Sequence, residues 1–148
     1  METKHILVAG SVIEKNGKIL LVQEKKDIAK GKWNIPAGHL DSGETIFNTA
    51  KRETEEETGF TIELKDIVGI YQYPSVRDNT ATVFMVVFRG SILHGEIKFP
   101  PEEILDVKWF KPEEVLKMKD SQLRGIRLII EDFLDNKSYP LNVIKEKD

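Results

Sequence analysis

The stretch Gly38–Phe60, GHLDSGETIFNTAKRETEEETGF, decides how the rest of this chain is read. Glu53, Glu56 and Glu57 fall at i, i+3 and i+4, so on a helix their carboxylates leave one face, about a turn apart. Like charges so spaced repel by roughly 0.2–0.5 kcal/mol per pair on an isolated helix. Two explanations are open. One is a solvated acidic face, the usual meaning of a charge run. The other is a hard divalent cation, which turns the repulsion into attraction because Mg²⁺ and Mn²⁺ prefer converging carboxylate oxygens. Arg52 is placed to reach back to Asn48 or forward to Glu56 and steady the cluster.

The helix is expected over about Glu44–Thr58. Asp41, Ser42 and Gly43 are the candidate caps at its start, and Gly59 is a left-handed stop at its end. Ile46, Phe47 and Ala50 supply an apolar side, which leaves the glutamates to line a cleft. Gly38 is either a turn glycine or a point where the backbone must approach something closely, with a neighbouring carbonyl as an oxygen ligand.

Outward from this stretch, Asn16-Gly17 separates two apolar-rich runs, His5–Glu14 and Lys18–Lys25, and predicts a hairpin. Asp27–Lys32 reads as a loop, and Trp33–Pro36 as a short strand limited by its proline. Phe60–Tyr73 reads as strand with a break near Lys65-Asp66. Thr80–Ile92 is the clearest strand, apolar enough for burial on both faces. A loop follows from Leu93 to Pro101, with a short strand at Ile97–Phe99. Next come a strand at Val107–Phe110 and a helix from Pro112 to about Lys119. The apolar spacing of Ser121–Leu134 predicts a core-packing helix. Strands interrupted by two or three helices make an α/β protein with a mixed sheet between helices.

The bulk properties agree with one domain, 1–148. The chain has 148 residues, 40% hydrophobic and 32% charged, enough for a core without staples. No apolar run is long enough to span a membrane, and METKHILVAG lacks the layout of a secretory signal. The absence of cysteine excludes disulfides, thiol catalysis and Cys-ligated zinc, and fits a reducing cytoplasm. A net charge of −3 argues against binding nucleic-acid polymers, while a small polyanion remains accessible through metal and a few cations.

Gly38, Glu44, Arg52, Glu53, Glu56, Glu57, Gly59 and Phe60 together resemble the signature of the Nudix hydrolases: Gly, five residues, Glu, seven residues, Arg-Glu-x-x-Glu-Glu-x-Gly and an apolar residue. Chance would produce such a match on the order of once in a million chains of this length. Thr54 departs from the pattern, standing where the family usually has an aliphatic residue; its methyl can still pack. The resemblance implies an α/β/α sandwich with a mixed β-sheet, and hydrolysis of a phosphate anhydride with Mg²⁺ or Mn²⁺. It assigns metal ligation to Glu53, Glu56 and Glu57 with the Gly38 turn, the general base first to Glu53, and supporting roles to Glu44 and Arg52. A further carboxylate is expected from the loop before Trp109-Phe110, with Glu103 ahead of Glu102.

Candidate substrate contacts are His39, Trp33, Tyr71, Arg77 and Arg124, with Tyr73 and Lys32 beside them. His39 is either a phosphate contact or a surface residue near a turn. Trp33, Tyr71 and Tyr73 are either base platforms or packing groups. Within the family, WNIPAGHL (33–40) and Tyr139-Pro140-Leu141 are similar to bacterial NudJ-type phosphatases. That type implies nucleoside di- and triphosphate substrates, hydroxymethylpyrimidine pyrophosphate and release of orthophosphate. Rival expectations are an ADP-ribose pyrophosphatase, through Pro74, a MutT-type enzyme on oxidised nucleotides, and a non-catalytic nucleotide sensor. The partner expected is a small nucleotide or pyrophosphate, met by a monomer or homodimer, with no membrane involved.

Overall fold

Asn16 and Gly17 take positive φ values of 53° and 77°. That pair of left-handed residues is what a two-residue hairpin needs to match the twist of its strands. The computed structural model describes residues 4–147 and joins β1 (Lys4–Lys15) to β2 (Lys18–Glu24) through this turn, with Lys15 opposite Lys18. β3 (Trp33–Asn34) pairs with β2, and β4 (Ala37–His39) pairs with the first half of β1. Lys4–Ile13 of β1 also runs parallel to β6 (Ala81–Gly95), which pairs antiparallel with β5 (Phe60–Pro74). β7 (Ile104–Phe110) completes the β2 side. The result is one mixed, seven-stranded sheet of order β3-β2-β1-β6-β5, with β4 on β1 and β7 on β2.

Two apolar layers cover it. On one face Ala50 of α1 (Ile46–Thr58) packs with Ala9, Ile13, Val86 and Phe88. On the other, α2 (Pro112–Leu116) and α3 (Arg127–Leu134) contribute Val115, Ile129, Ile130 and Phe133 over Val12, Val68 and Val87. This is the α/β/α sandwich with a mixed sheet that the sequence implies. No helix among the described residues is long and apolar enough to cross a membrane.

Several boundaries differ from expectation. The break near Lys65-Asp66 is a register shift inside one 15-residue strand, because β6 pairs along its whole length and absorbs the extra residue. Ile97–Phe99 is not strand; Lys98 instead donates its N–H to the Thr58 carbonyl at 2.9 Å, tying the loop to the end of α1. α2 stops at Leu116, where the Arg127 guanidinium takes the Leu116 and Met118 carbonyls. The helix expected over Ser121–Leu134 begins only at Arg127, since Gly125 sits at φ 66°. Leu123 and Ile126 are nevertheless buried, as their spacing requires. Asp27–Lys32 opens with a short 3-10 turn at Asp27–Ala29.

Candidate active site

α1 is aimed by its caps and by the side it buries. Thr45, not Asp41, Ser42 or Gly43, is the N-cap: its hydroxyl accepts from the Asn48 N–H at 3.1 Å. Gly59 ends the helix at φ 86°, and a Cβ there would run into the Glu96 carbonyl. The fully buried side is Thr49, Ala50, Thr54 and Thr58, while Ile46 and Phe47 are only half-buried. The threonine hydroxyls find local acceptors: Thr58 donates to the Thr54 carbonyl at 2.6 Å, and Thr54 meets the buried Ser11 at 3.4 Å. Thr54, the departure from the family pattern, is thereby accommodated.

The opposite side carries the charges. Arg52 spans the cluster from its middle. Its Nε donates to Glu44 Oε2 at 2.7 Å and its Nη2 to Glu44 Oε1 at 3.0 Å. Nη1 reaches Glu53 at 2.9 Å and Glu56 at 3.2 Å, and Nη2 also meets the His39 carbonyl at 3.1 Å. Glu44 additionally accepts from the Thr49 hydroxyl and the Asp41 N–H. The Arg52 bonds first, then that of Thr49, hold the Glu44 carboxyl at about 2, below an ordinary glutamate. Its place is the anchor of Arg52.

Glu53 and Glu57 point inward. A Cβ on Gly38 would overlap the Glu53 carboxylate, so only glycine permits this approach. The Ala37 N–H donates to Glu57 Oε1 at 2.9 Å. Burial is the main cause that pushes the Glu53 carboxyl up, against the pull of Arg52. Burial raises Glu57 further still, helped by the charges of Glu53, Glu24 and Glu103 and opposed by the Ala37 bond. Glu56 is more exposed and leans on Arg52.

A cleft of about 350 Å³ opens beside Glu57, with Glu24, His39, Arg77 and Glu103 on its walls. It lies where β1 pairs with β4 instead of β2, so the turn after β3, the end of β2 and the loop before β7 all face it. Glu103, not Glu102, lines it and adds its charge to Glu53 and Glu57. Glu24 was not singled out from the sequence: it reads as one acid among surface lysines, and it reaches the cleft as the last residue of β2, paired with Ile104 next to Glu103.

Other candidates lie elsewhere. Trp33 is 9% exposed, with its ring edge-on to Phe110 at 4.8 Å. A base platform needs an open face, so Trp33 is corrected to a packing residue. Tyr71 donates to Asp132 Oδ2 at 2.8 Å and borders a separate cavity with Tyr139 and Lys137; it does not join the cleft. Arg124 is not on the cleft's lining but pairs at 2.7 Å with Glu24, which is.

The donors fit a hard divalent cation. They are all carboxylate oxygens, two are buried with raised proton affinity, and their charges oppose one another, which is the imbalance a 2+ ion relieves. Among the described residues no three of these acids already stand gathered at ligating distance, since Arg52 holds Glu53 and Glu56.

Comparison with known proteins agrees. Residues 3–131 match the NUDIX domain family. An ADP-ribose pyrophosphatase of Methanocaldococcus jannaschii is 38% identical over 59% of this chain, which spans about half, 51%, of that protein's length. Phosphatase NudJ of Shigella sonnei is 28% identical over 95% of the chain and 90% of its own length. A solved NUDIX hydrolase from Nitrosomonas europaea superposes with a TM-score of 0.87 at 31% identity, covering 97% of this chain and 98% of that one. The family match over most of the chain and the superposition over nearly its whole length give one answer: the chain belongs to the Nudix hydrolase family.

Proposed function

We propose that the chain, acting as a single domain, hydrolyses a phosphate anhydride in a nucleoside di- or triphosphate or a related pyrophosphate, with Mg²⁺ or Mn²⁺. The observation that carries this reading is the convergence of Glu57, from the helix, and Glu103, from a distant loop, on one cleft with Arg77 and His39, while the Glu53 carboxylate lies against Gly38 beside it.

A bound Mg²⁺ would supply charge neutralisation and an activated water. Glu53, Glu56 and Glu57 would hold it, with the Gly38 turn leaving room for the Glu53 carboxylate. Glu53 takes the proton from the attacking water, since its burial favours the protonated product of that transfer. Arg52, anchored by Glu44, keeps Glu53 and Glu56 in register until metal and substrate arrive. Glu103 joins from its loop, and Arg77 and His39 contact substrate phosphates at the rim.

Within this chemistry we favour the NudJ type, because the likeness to phosphatase NudJ runs over 95% of the chain and includes the segment at Tyr139. Tyr139 is structural here, exchanging backbone bonds with Ile67 at 2.8 and 2.9 Å. The ADP-ribose reading is the second, supported by the higher identity to the archaeal enzyme over a shorter span. Incubation with a nucleotide panel and Mg²⁺, with products identified by mass, separates them. Orthophosphate alone supports the first, AMP plus ribose phosphate the second, and nucleoside monophosphate plus pyrophosphate the MutT type. Binding without turnover on every compound would leave a sensor and defeat the hydrolase reading.

A further inference from the structure

Glu24 lines the cleft and meets Arg124, a hundred residues away in the chain, behind it. Arg124 Nη1 donates to Glu24 Oε2 at 2.7 Å, and the two side chains keep 22% and 23% of their surface exposed. The backbone sets both partners. Glu24 closes β2; its N–H donates to the Lys32 carbonyl at 2.9 Å and its carbonyl accepts from Gly31 at 2.7 Å. Arg124 donates its own N–H to the Trp33 carbonyl at 3.0 Å, next to the buried Leu123 that bridges Trp33.

The ion pair uses one guanidinium N–H of five. Among the described residues no protein acceptor takes the others. A donor fork with free N–H groups therefore stands behind Glu24 at the edge of a cleft whose acids, Glu24, Asp27, Glu57 and Glu103, outnumber its cations, Lys26 and Arg77.

We propose that Arg124 forms a subsite for a substrate phosphate that is not under attack, and that Glu24 is the positioning residue holding the guanidinium ready for it. The proposal rests on the cleft being a phosphate-anhydride site and says where the remainder of the polyphosphate is anchored. The carboxylates along the cleft repel an incoming polyanion, and a fixed cation at their edge offsets that repulsion. A guanidinium serves better than an ammonium because its planar fork matches paired phosphate oxygens. Without Glu24, Arg124 loses the ion-pair partner that holds it at the edge of the cleft.

The test is equilibrium binding of ADP and of inorganic pyrophosphate to the whole chain with Mg²⁺, by calorimetry, alongside KM, kcat and Tm. Arg124→Ala is expected to weaken both ligands about tenfold or more, and Arg124→Lys to recover only part of that. Glu24→Gln weakens them roughly threefold or more, and adds nothing once Arg124 is alanine. KM rises while kcat stays within about threefold. Should Arg124→Ala not fold, Arg124→Lys and Glu24→Gln carry the same comparison. Affinities and KM within about twofold of wild type, with only Tm lowered, would make the pair a strut and overturn the proposal. So would failure of both ligands to bind the wild-type chain. Ligand binding that follows the expected pattern without any turnover keeps the subsite and removes the hydrolase reading. Turnover with unchanged affinities in every variant does the reverse.

Discussion

Arg52 grips Glu44 by two parallel bonds, Nε to Oε2 at 2.7 Å and Nη2 to Oε1 at 3.0 Å, across eight residues of chain. The same guanidinium reaches Glu53 and Glu56, so an acid ahead of the helix sets the geometry of two acids within it. Bidentate pairing fixes the plane of an arginine as a single contact cannot.

Glu44→Gln is expected to lower kcat on the order of ten- to a hundredfold, the usual cost of losing a partner behind the ligands. Its acid sensitivity has a definite sign. The Glu44 carboxyl is held at about 2, below its ordinary 4.5, so its contribution is present above pH 4.5 and is lost as pH falls toward 2. Acid unfolding followed by circular dichroism should show this window in the wild type and a flatter profile in the variant. Identical profiles would mean that the pair does not hold the helix start.

Gly38→Ala places a methyl group where the Glu53 carboxylate lies. Turnover should fall by about a hundredfold or more, as for other small misplacements of reacting groups, while far-ultraviolet dichroism stays native. Full activity in this variant would separate Glu53 from catalysis.

Glu57→Gln should abolish Mg²⁺-dependent turnover and yet raise the Tm of the metal-free protein. Burial raises the Glu57 carboxyl, so in the absence of metal its ionised form costs stability progressively as pH rises through that elevated value. The gain in Tm should be larger at pH 8 than at pH 5, and Mg²⁺ should stabilise the wild type more than the variant. A metal-free variant that melts below the wild type at pH 8 contradicts this.

Tyr71→Phe removes the 2.8 Å bond to Asp132 and should cost about 1–2 kcal/mol of stability, read from urea unfolding. Activity should stay within about twofold, because Tyr71 lies outside the cleft. Burial, with the Asp132 bond, raises the Tyr71 phenol above 10. Its contribution is therefore intact below pH 10 and lost as pH climbs through the higher folded value. Ultraviolet titration should find one more tyrosine resisting ionisation at pH 10 in the wild type than in the variant, since burial also raises Tyr73 in both.

Local signals were legible where one residue type meets one backbone need. Asn16-Gly17 announces the hairpin because both residues accept positive φ, and Gly59 announces the helix end for the same reason. Helical spacing alone puts Glu53 and Glu57 on one side of α1. Cap choice was harder: Asp41, Ser42, Gly43 and Thr45 are all competent, and the path of the chain into the helix selects Thr45.

By itself, then, the order of residues determined the acidic helix, its glycine neighbour and the layered sheet around them, since these follow from periodicities of two and of about three and a half. Only the tertiary structure decided which distant groups complete the cleft. Glu103 and Glu24 come together by the pairing of β7 on β2, and Arg124 is brought behind Glu24 by its backbone bond to Trp33. Tyr71 and Tyr73, two residues apart on one strand, part ways because α3 offers Asp132 to the first, while Arg124 and Glu24 stand near the second. Long-range pairing has no local spacing to betray it; it appears once the sheet has closed.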